Sequence, residues 1–394
     1  MSQEPRPASQ ARWYGAAQLI GLVRAEPGIT RAAAAQRLGI GTGGAADLVA
    51  RLRRCNLLEE APAPVQGRGR PTTVLGPHPA GPLVLAAELG AGDWRLAEAG
   101  IDGAPRVVAE GSHRRTDDAR LVAELGAAIT EACLRRGHRV GAVAMSVSGT
   151  VSDSRLVQFT TKGWRDTDLS GLMAGCPEIP LLLGNDATLA GLAEARTGAG
   201  RSAGTTLHLI VAVGLGGTLV VNGEPVIGAH GAAGEYGHVP FGSPDVECPC
   251  GATGCWDLEV DGRALARHLD EPAPADPIGY ARDVLEQRPV APRSRAAFAS
   301  VATALGRGIG GLVNLHDPDI VTIGGLAPAL RAAAPEAFET AYRGGLMAFR
   351  KTSAPAVIDG EHGDDAPLIG ATALALDHVT DEAALADWAR RHGS

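Results

Sequence analysis

Aromatic side chains are scarce in this sequence: five Trp, four Tyr and five Phe, only 4% of 394 residues. A large core must therefore be built from Ala, Val, Leu and Ile, and a hydrophobic content of 45% supplies enough of them. Lysine occurs only at Lys162 and Lys351, so arginine carries nearly all the positive charge. A GC-rich genome explains that bias more simply than a functional demand does. No apolar run reaches the roughly 18 residues that a membrane span needs. The longest candidate, Leu207 to Val221, is broken by Gly214, Gly216 and Gly217. The first ten residues, MSQEPRPASQ, have no apolar signal core. These absences lead to the expectation of a soluble, cytoplasmic chain with no membrane partner.

The length exceeds one ordinary core and implies two or three domains. Gly (53) and Pro (26) are plentiful but scattered, as tight turns require. The net charge of −8 conceals an asymmetry. Residues 1–80 hold ten Arg against five Asp and Glu, or +5; the rest holds 26 basic and 39 acidic side chains, or −13. A basic head on an acidic body suits a small module that meets a polyanion.

Residues 1–13 read as a flexible tail. A helix is expected over 15–24, a second over 31–38 behind the N-cap Thr30, and a third over about 43–54 with Ala45, Leu48, Val49 and Leu52 on one face. Two short strands around 57–58 and 72–75 flank the turn GRGRP (67–71). Three helices and a two-stranded ribbon make the layout of a winged helix-turn-helix over 14–78, a module for double-stranded operator DNA. A three-helix protein-interaction module is the competing reading. The third helix reads Gly41-Thr42-Gly43-Gly44-Ala45-Ala46-Asp47, where Gly and Ala offer base edges no donors and Asp47 repels phosphate. Base reading would then rest on Thr42, Arg51 and the wing arginines Arg68 and Arg70, or DNA binding is weakened.

From residue 79 the pattern changes to alternating strands and helices with Gly-rich strand ends, an α/β body. Its sharpest signal is GEYGHVPFGSPDVECPCGATGCWD. Cys248, Cys250 and Cys255 lie within eight residues, and His238 stands ten residues upstream. Three thiolates and one imidazole complete a tetrahedral, closed Zn2+ site, which reads as structural. Disulfides are the alternative, disfavoured in a reducing compartment. Cys55, Cys133 and Cys176 read as isolated core thiols.

With GAHGAAGEYGHV and CPCGATGCWD, the sequence resembles the ROK family (repressor, open reading frame, kinase). GNDATLAGLAE (184–194) is similar to its sugar-binding and catalytic-base motif, and NLHDPDIVTIGG (314–325) to its nucleotide-side strand and loop. The module placed before this body, GRGRP included, is similar to the family's transcriptional regulators, of the actinobacterial type. The resemblance implies a two-lobed actin-like ATPase fold, sugar kinase-like and RNase H-like, over 79–394. Its N-lobe would take about 82–186 with a C-terminal helix of about 369–394, and its C-lobe about 187–368. It also implies that Asn185, Asp186, Glu235, His238 and Asp257 bind sugar, with Asp257 standing where the family usually has Glu.

Kinases of the family open with a D-x-G-G-T loop; the matching stretch here is Glu88-Leu89-Gly90-Ala91-Gly92-Asp93. Losing Gly and Thr should weaken ATP binding. The second loop, Gly214 to Thr218, keeps its glycines, and Asp186 keeps the carboxylate a kinase would use as base. The expectation is a transcriptional regulator, a repressor of sugar-related genes, with a sugar or amino-sugar effector, acting as a homodimer or homotetramer. An ATP-dependent ROK sugar kinase, with Asp186 catalytic, is one alternative. A sugar sensor with lost or weakened DNA binding is the other.

Overall fold

A computed structural model of the chain describes residues 8–63, 73–90, 92–113, 117–152, 155–159 and 164–392. Arg68, Arg70 and Ala91 lie outside the described residues. The chain divides into two compact units, the first comprising 1–145, 169–183 and 371–394, the second 146–168 and 184–370.

The first unit opens with α1 (Ala8–Ala25), α2 (Arg31–Leu38) and α3 (Thr42–Arg54), then an antiparallel ribbon of β1 (Leu58–Pro62) and β2 (Thr73–Pro77). Helix α1 begins at Ala8, inside the stretch expected to be tail. Thr30 caps α2 through its hydroxyl, which accepts from the Ala33 amide at 3.1 Å, and Gly39 ends the helix in the left-handed region. Ala45, Leu48, Val49 and Leu52 of α3 face inward as the spacing predicts. Leu48, Val49 and Leu52 share a core with Trp13, Leu19 and Ile20 of α1.

The chain continues with β3 (Leu83–Leu89), β4 (Asp93–Ala99), β5 (Arg106–Ser112), α4 (Asp118–Arg136) and β6 (Val140–Val147). Asp117 caps α4, whose Leu121, Leu125 and Ile129 are buried at i+4 spacing. A small antiparallel sheet of β7 (Thr150–Ser152), β8 (Arg155–Phe159) and β9 (Trp164–Asp168) follows, and then β10 (Leu181–Asn185). The larger sheet has the order β10-β6-β3-β4-β5.

The second unit contains α5 (Asp186–Arg196), β11 (Thr205–Ala212), β12 (Gly214–Val221), β13 (Glu224–Pro225), α6 (Gly262–His268), α7 (Pro277–Glu286) and α8 (Pro292–His316). It goes on through β14 (Ile320–Gly325), α9 (Ala327–Ala333), α10 (Pro335–Gly345) and β15 (Ala356–Asp359). Its sheet runs β13-β12-β11-β14-β15, with β14 parallel to both neighbours and β12 antiparallel to β11. Helix α8 is long and apolar enough to cross a membrane, yet most of that apolar stretch is buried, with Phe298, Val301, Leu305, Ile309 and Leu312 in the core.

The last elements are α11 (Ala366–Val379) and α12 (Glu382–His392). Leu385 and Trp388 of α12 are buried in the core built by α1 to α3. The Trp388 indole N–H donates to the Cys55 carbonyl at 2.8 Å, and Arg24 of α1 pairs with Asp377 at 3.3 Å. The three helices are therefore completed by a helix from the far end of the chain.

Candidate functional site

The E-Y-G-H segment is shaped by backbone approach to β12. A Cβ on Gly237 would stand 2.2 Å from the Leu215 carbonyl oxygen. Gly234 adopts φ +93, and a Cβ there would stand 2.2 Å from the Gly217 carbonyl. Only glycine lets the chain lie so close to the strand. Tyr236 is consequently buried against β12, while Glu235 and His238 stay exposed.

From this base His238 meets the cysteine loop. The His238 Nδ1 and Cys248 Sγ atoms are 3.9 Å apart, and Cys250 Sγ and Cys255 Sγ are 3.7 Å apart. All four ligand atoms lie within 4.8 Å of one another, so the cluster could hold a metal ion. Burial, with the neighbouring thiols adding to it, pushes the Cys255 thiol up to about 12. The other imidazole nitrogen, Nε2, lies 3.9 Å from Glu235 Oε2. That places a carboxylate behind a prospective ligand imidazole, an arrangement that orients such rings.

Asn185 and Asp186 sit where β10 turns into α5. The Asn185 Oδ1 accepts from the Ala187 and Thr188 amides at 3.0 and 3.2 Å and caps the helix. Its Nδ2 donates to the Gly149 carbonyl at 3.1 Å, leaving one amide hydrogen for a ligand. Burial raises the Asp186 carboxyl above the usual range, and the charge of Glu235 raises it further; the Ser148 hydroxyl works in the opposite direction. Thr150 donates to Glu235 Oε1 at 3.2 Å. Ser148 and Thr150 are site residues that sequence reasoning missed; the hydroxyl-rich run Ser146-Val147-Ser148-Gly149-Thr150 was the available signal.

A hollow of about 30 Å³ joins Thr150, Asn185, Thr188 and Glu235, with Gly216, Gly217 and Gly234 as its floor. Asp186 and His238 are not among its lining, and neither is Asp257. Its side chain is 9% exposed and its Oδ2 pairs with Arg263 Nη2 at 3.5 Å. Arg263 in turn donates from Nε to the buried Asp261 at 2.5 Å. Burial raises the Asp257 carboxyl and the Arg263 charge opposes it. Asn185 and Glu235 are thus brought to one hollow; Asp257 turns toward an arginine instead. A larger cleft, about 610 Å³, lies elsewhere between α10 and β15. Its arginines already have acids, Arg331 with Asp359 at 2.7 Å and Arg343 with Glu339, and no expected site residue lines it.

The two loops expected near phosphate differ in character. Glu88 lies across from Arg95 in the β3–β4 pair, and Arg95 donates to Glu88 Oε2 from Nε at 2.9 Å and from Nη2 at 2.5 Å. The Gly90 carbonyl accepts from His113 Nε2 at 2.9 Å, with His113 fully buried behind it. The Glu88 carboxylate is therefore paired across the strands, and the Gly90 carbonyl is already bonded. In the second loop Gly216 and Gly217 are strand residues. A Cβ on Gly216 would stand 2.7 Å from the Ala187 Cβ, and one on Gly217 2.5 Å from Leu209. Packing alone accounts for those glycines.

On α3, Thr42 is exposed at the first turn. Arg51 is half-buried, its guanidinium 5.3 Å above the Trp13 ring. Glu60 is shared by Arg31 and Arg53 at 3.2 and 3.3 Å.

Comparison with known proteins places these observations in a family. The ROK family model matches residues 101–378. A glucokinase of Streptomyces coelicolor is 26% identical over 259 residues, 61% of this chain and 82% of its own length. A putative xylose repressor of Caldicellulosiruptor sp. is 32% identical over 177 residues, 42% of this chain and 44% of its own. The crystal structure of a ROK family transcriptional regulator, a homologue of the E. coli MLC protein, aligns with a TM-score of 0.74 at 21% identity. It covers 96% of this chain and 99% of that one, a likeness of fold. The fold is accordingly the actin-like ATPase fold with mixed sheets, with a small N-terminal domain ahead of it. By the extent of that match, the chain belongs to the ROK family.

Proposed function

We propose that this chain is a DNA-binding transcriptional regulator, acting as a repressor, whose kinase-derived body binds a sugar or sugar derivative without phosphorylating it. The observation that carries the reading is the Arg95–Glu88 pair. A kinase needs that position to serve phosphate and its metal ion; here an arginine occupies the carboxylate. Part of the expected ligand set lines the hollow: Glu235 can accept from sugar hydroxyls and Asn185 keeps one donor, with Asp186 next to it in sequence. The three helices and ribbon of residues 8–77 support DNA as the partner, with a homodimer or homotetramer matching a two-fold operator.

The metal in this reading is structural zinc. Bonds of about 2.3 Å in a tetrahedron set sulfur atoms about 3.8 Å apart. The Cys250–Cys255 separation of 3.7 Å matches that edge. Four protein ligands leave no position for a reacting water, and the ion would pin His238 beside Glu235.

A second reading, sugar kinase, draws support from Asp186, whose raised carboxyl suits a general base. A sensor with weakened DNA binding draws support from the ion pairs that engage Arg31 and Arg53. Thermal-shift screening against a panel of sugars separates the first two. Stabilisation by a sugar alone, unchanged by ATP-Mg, is expected; a further rise with nucleotide and turnover of ATP would favour the kinase.

A further inference from the structure

The solvent face of α3 carries one acid in its middle. Ala45, Leu48, Val49 and Leu52 face the core, while Gly43, Gly44, Asp47, Ala50 and Arg54 face outward. Asp47 is the sixth residue of the helix, and no hydrogen bond or ion pair engages it among the described residues. Of the helix's other long polar side chains, Arg51 lies over Trp13, Arg53 is drawn to Glu60 and Arg54 is exposed at the last residue of the helix. In the first two turns of α3, Thr42 and Asp47 are therefore the side chains with polar atoms to offer.

We propose that Asp47 reads an exocyclic base amino group in the major groove, cytosine N4 or adenine N6. The inference rests on the regulator reading above. In a winged helix-turn-helix the N-terminal half of the third helix meets base edges, where the third helix here carries Asp47. A carboxylate has no proton to give at neutral pH and so accepts only. Guanine O6 and N7 and thymine O4 are acceptors and would be rejected, whereas cytosine N4 and adenine N6 donate. The same charge is repelled by phosphate, so it lowers affinity for every duplex while discriminating among them. The acid thus serves as a selectivity element on a helix that has few other polar contacts to make.

Selection from a random duplex library by the full-length protein tests this, run in parallel with Asp47→Ala and Asp47→Asn. Because Asp47 is exposed and has no partner among the described residues, both variants should keep the thermal midpoint of the parent, which is measured alongside. The parent should enrich sites with C or A at one fixed position in each half-site, and which of the two appears identifies the base. Asp47→Ala should lose that preference by roughly tenfold or more while binding unrelated duplexes more tightly. Asp47→Asn should shift the position toward adenine, which an amide pairs with in two hydrogen bonds. Identical enriched sites from all three proteins would overturn the role of Asp47 and leave the regulator reading standing. Enrichment of no sequence by any of them would overturn both, and would favour a protein partner for the head.

Discussion

At the scale of single residues, polar side chains in the second unit divide between holding the fold and lining the hollow. Glu194 is buried, yet it stays ionised below the usual range because the Ala199, Glu361 and His362 amides all donate to it, outweighing burial. Its neighbour His208 is fully buried and pushed down to about 4 by that burial, with the Glu194 charge opposing. An unfolded chain takes up a proton at His208 near pH 6.5, and the folded chain resists until about pH 4. Stability should therefore fall as pH drops through that window, by about 2 kcal/mol between pH 7 and pH 5. Urea titrations at both pH values check this: in His208→Asn the difference should shrink by that amount. A second pair of substitutions separates cap from ligand. Asn185→Ala should lower stability by about 1 kcal/mol, since it removes the α5 cap, as well as weakening sugar binding. Glu235→Gln should leave the unfolding midpoint nearly unchanged and weaken sugar binding roughly tenfold or more, as loss of a charged acceptor does. Calorimetry with the sugar identified by screening reads both.

At the scale of elements, legibility in the sequence followed periodicity. Helix α4 and strand β6 can be read from the sequence because their apolar spacing is unbroken. The glycines expected in a loop over 214–218 are residues of strand β12, required by Ala187 and Leu209 rather than by a loop. Ahead of α6, the buried Asp261 follows a short turn over Trp256–Glu259 and caps the helix through the Arg263 and Ala264 amides. Helix α10 was missed because only Phe338 and Tyr342 mark its buried face. In the candidate site, motif residues were legible one by one, but their partners were not. The Asp257–Arg263 and Glu88–Arg95 pairs depend on a helix turn and on cross-strand register that no local pattern states. Helix α12 was read only as an extension of a terminal helix, and its Leu385 and Trp388 gave no sign that they belong to the first three helices. Trp388→Ala should destabilise that core by about 3 to 5 kcal/mol. Limited proteolysis should then cut within residues 8–77 of the variant while the second unit resists; equal resistance in variant and parent would contradict the packing described.

At the scale of the whole molecule, the proposed function couples a metal-pinned loop, a sugar-binding body and a DNA-reading head. Removing the metal separates their contributions. A chelator that strips one equivalent of zinc should abolish sugar binding, because His238 and Glu235 lose their common anchor, while leaving affinity for the selected duplex within a few-fold. Metal analysis of the purified chain with parallel DNA and sugar titrations checks this.

The most direct test is fluorescence anisotropy of a labelled duplex carrying the selected operator, held by the full-length protein and titrated with a panel of sugars and amino sugars in the absence of nucleotide. The account predicts that one sugar or sugar derivative alone releases the DNA, and that Glu235→Gln needs roughly tenfold more of it. A duplex that no sugar displaces until ATP-Mg is added, with phosphosugar accumulating, would contradict it.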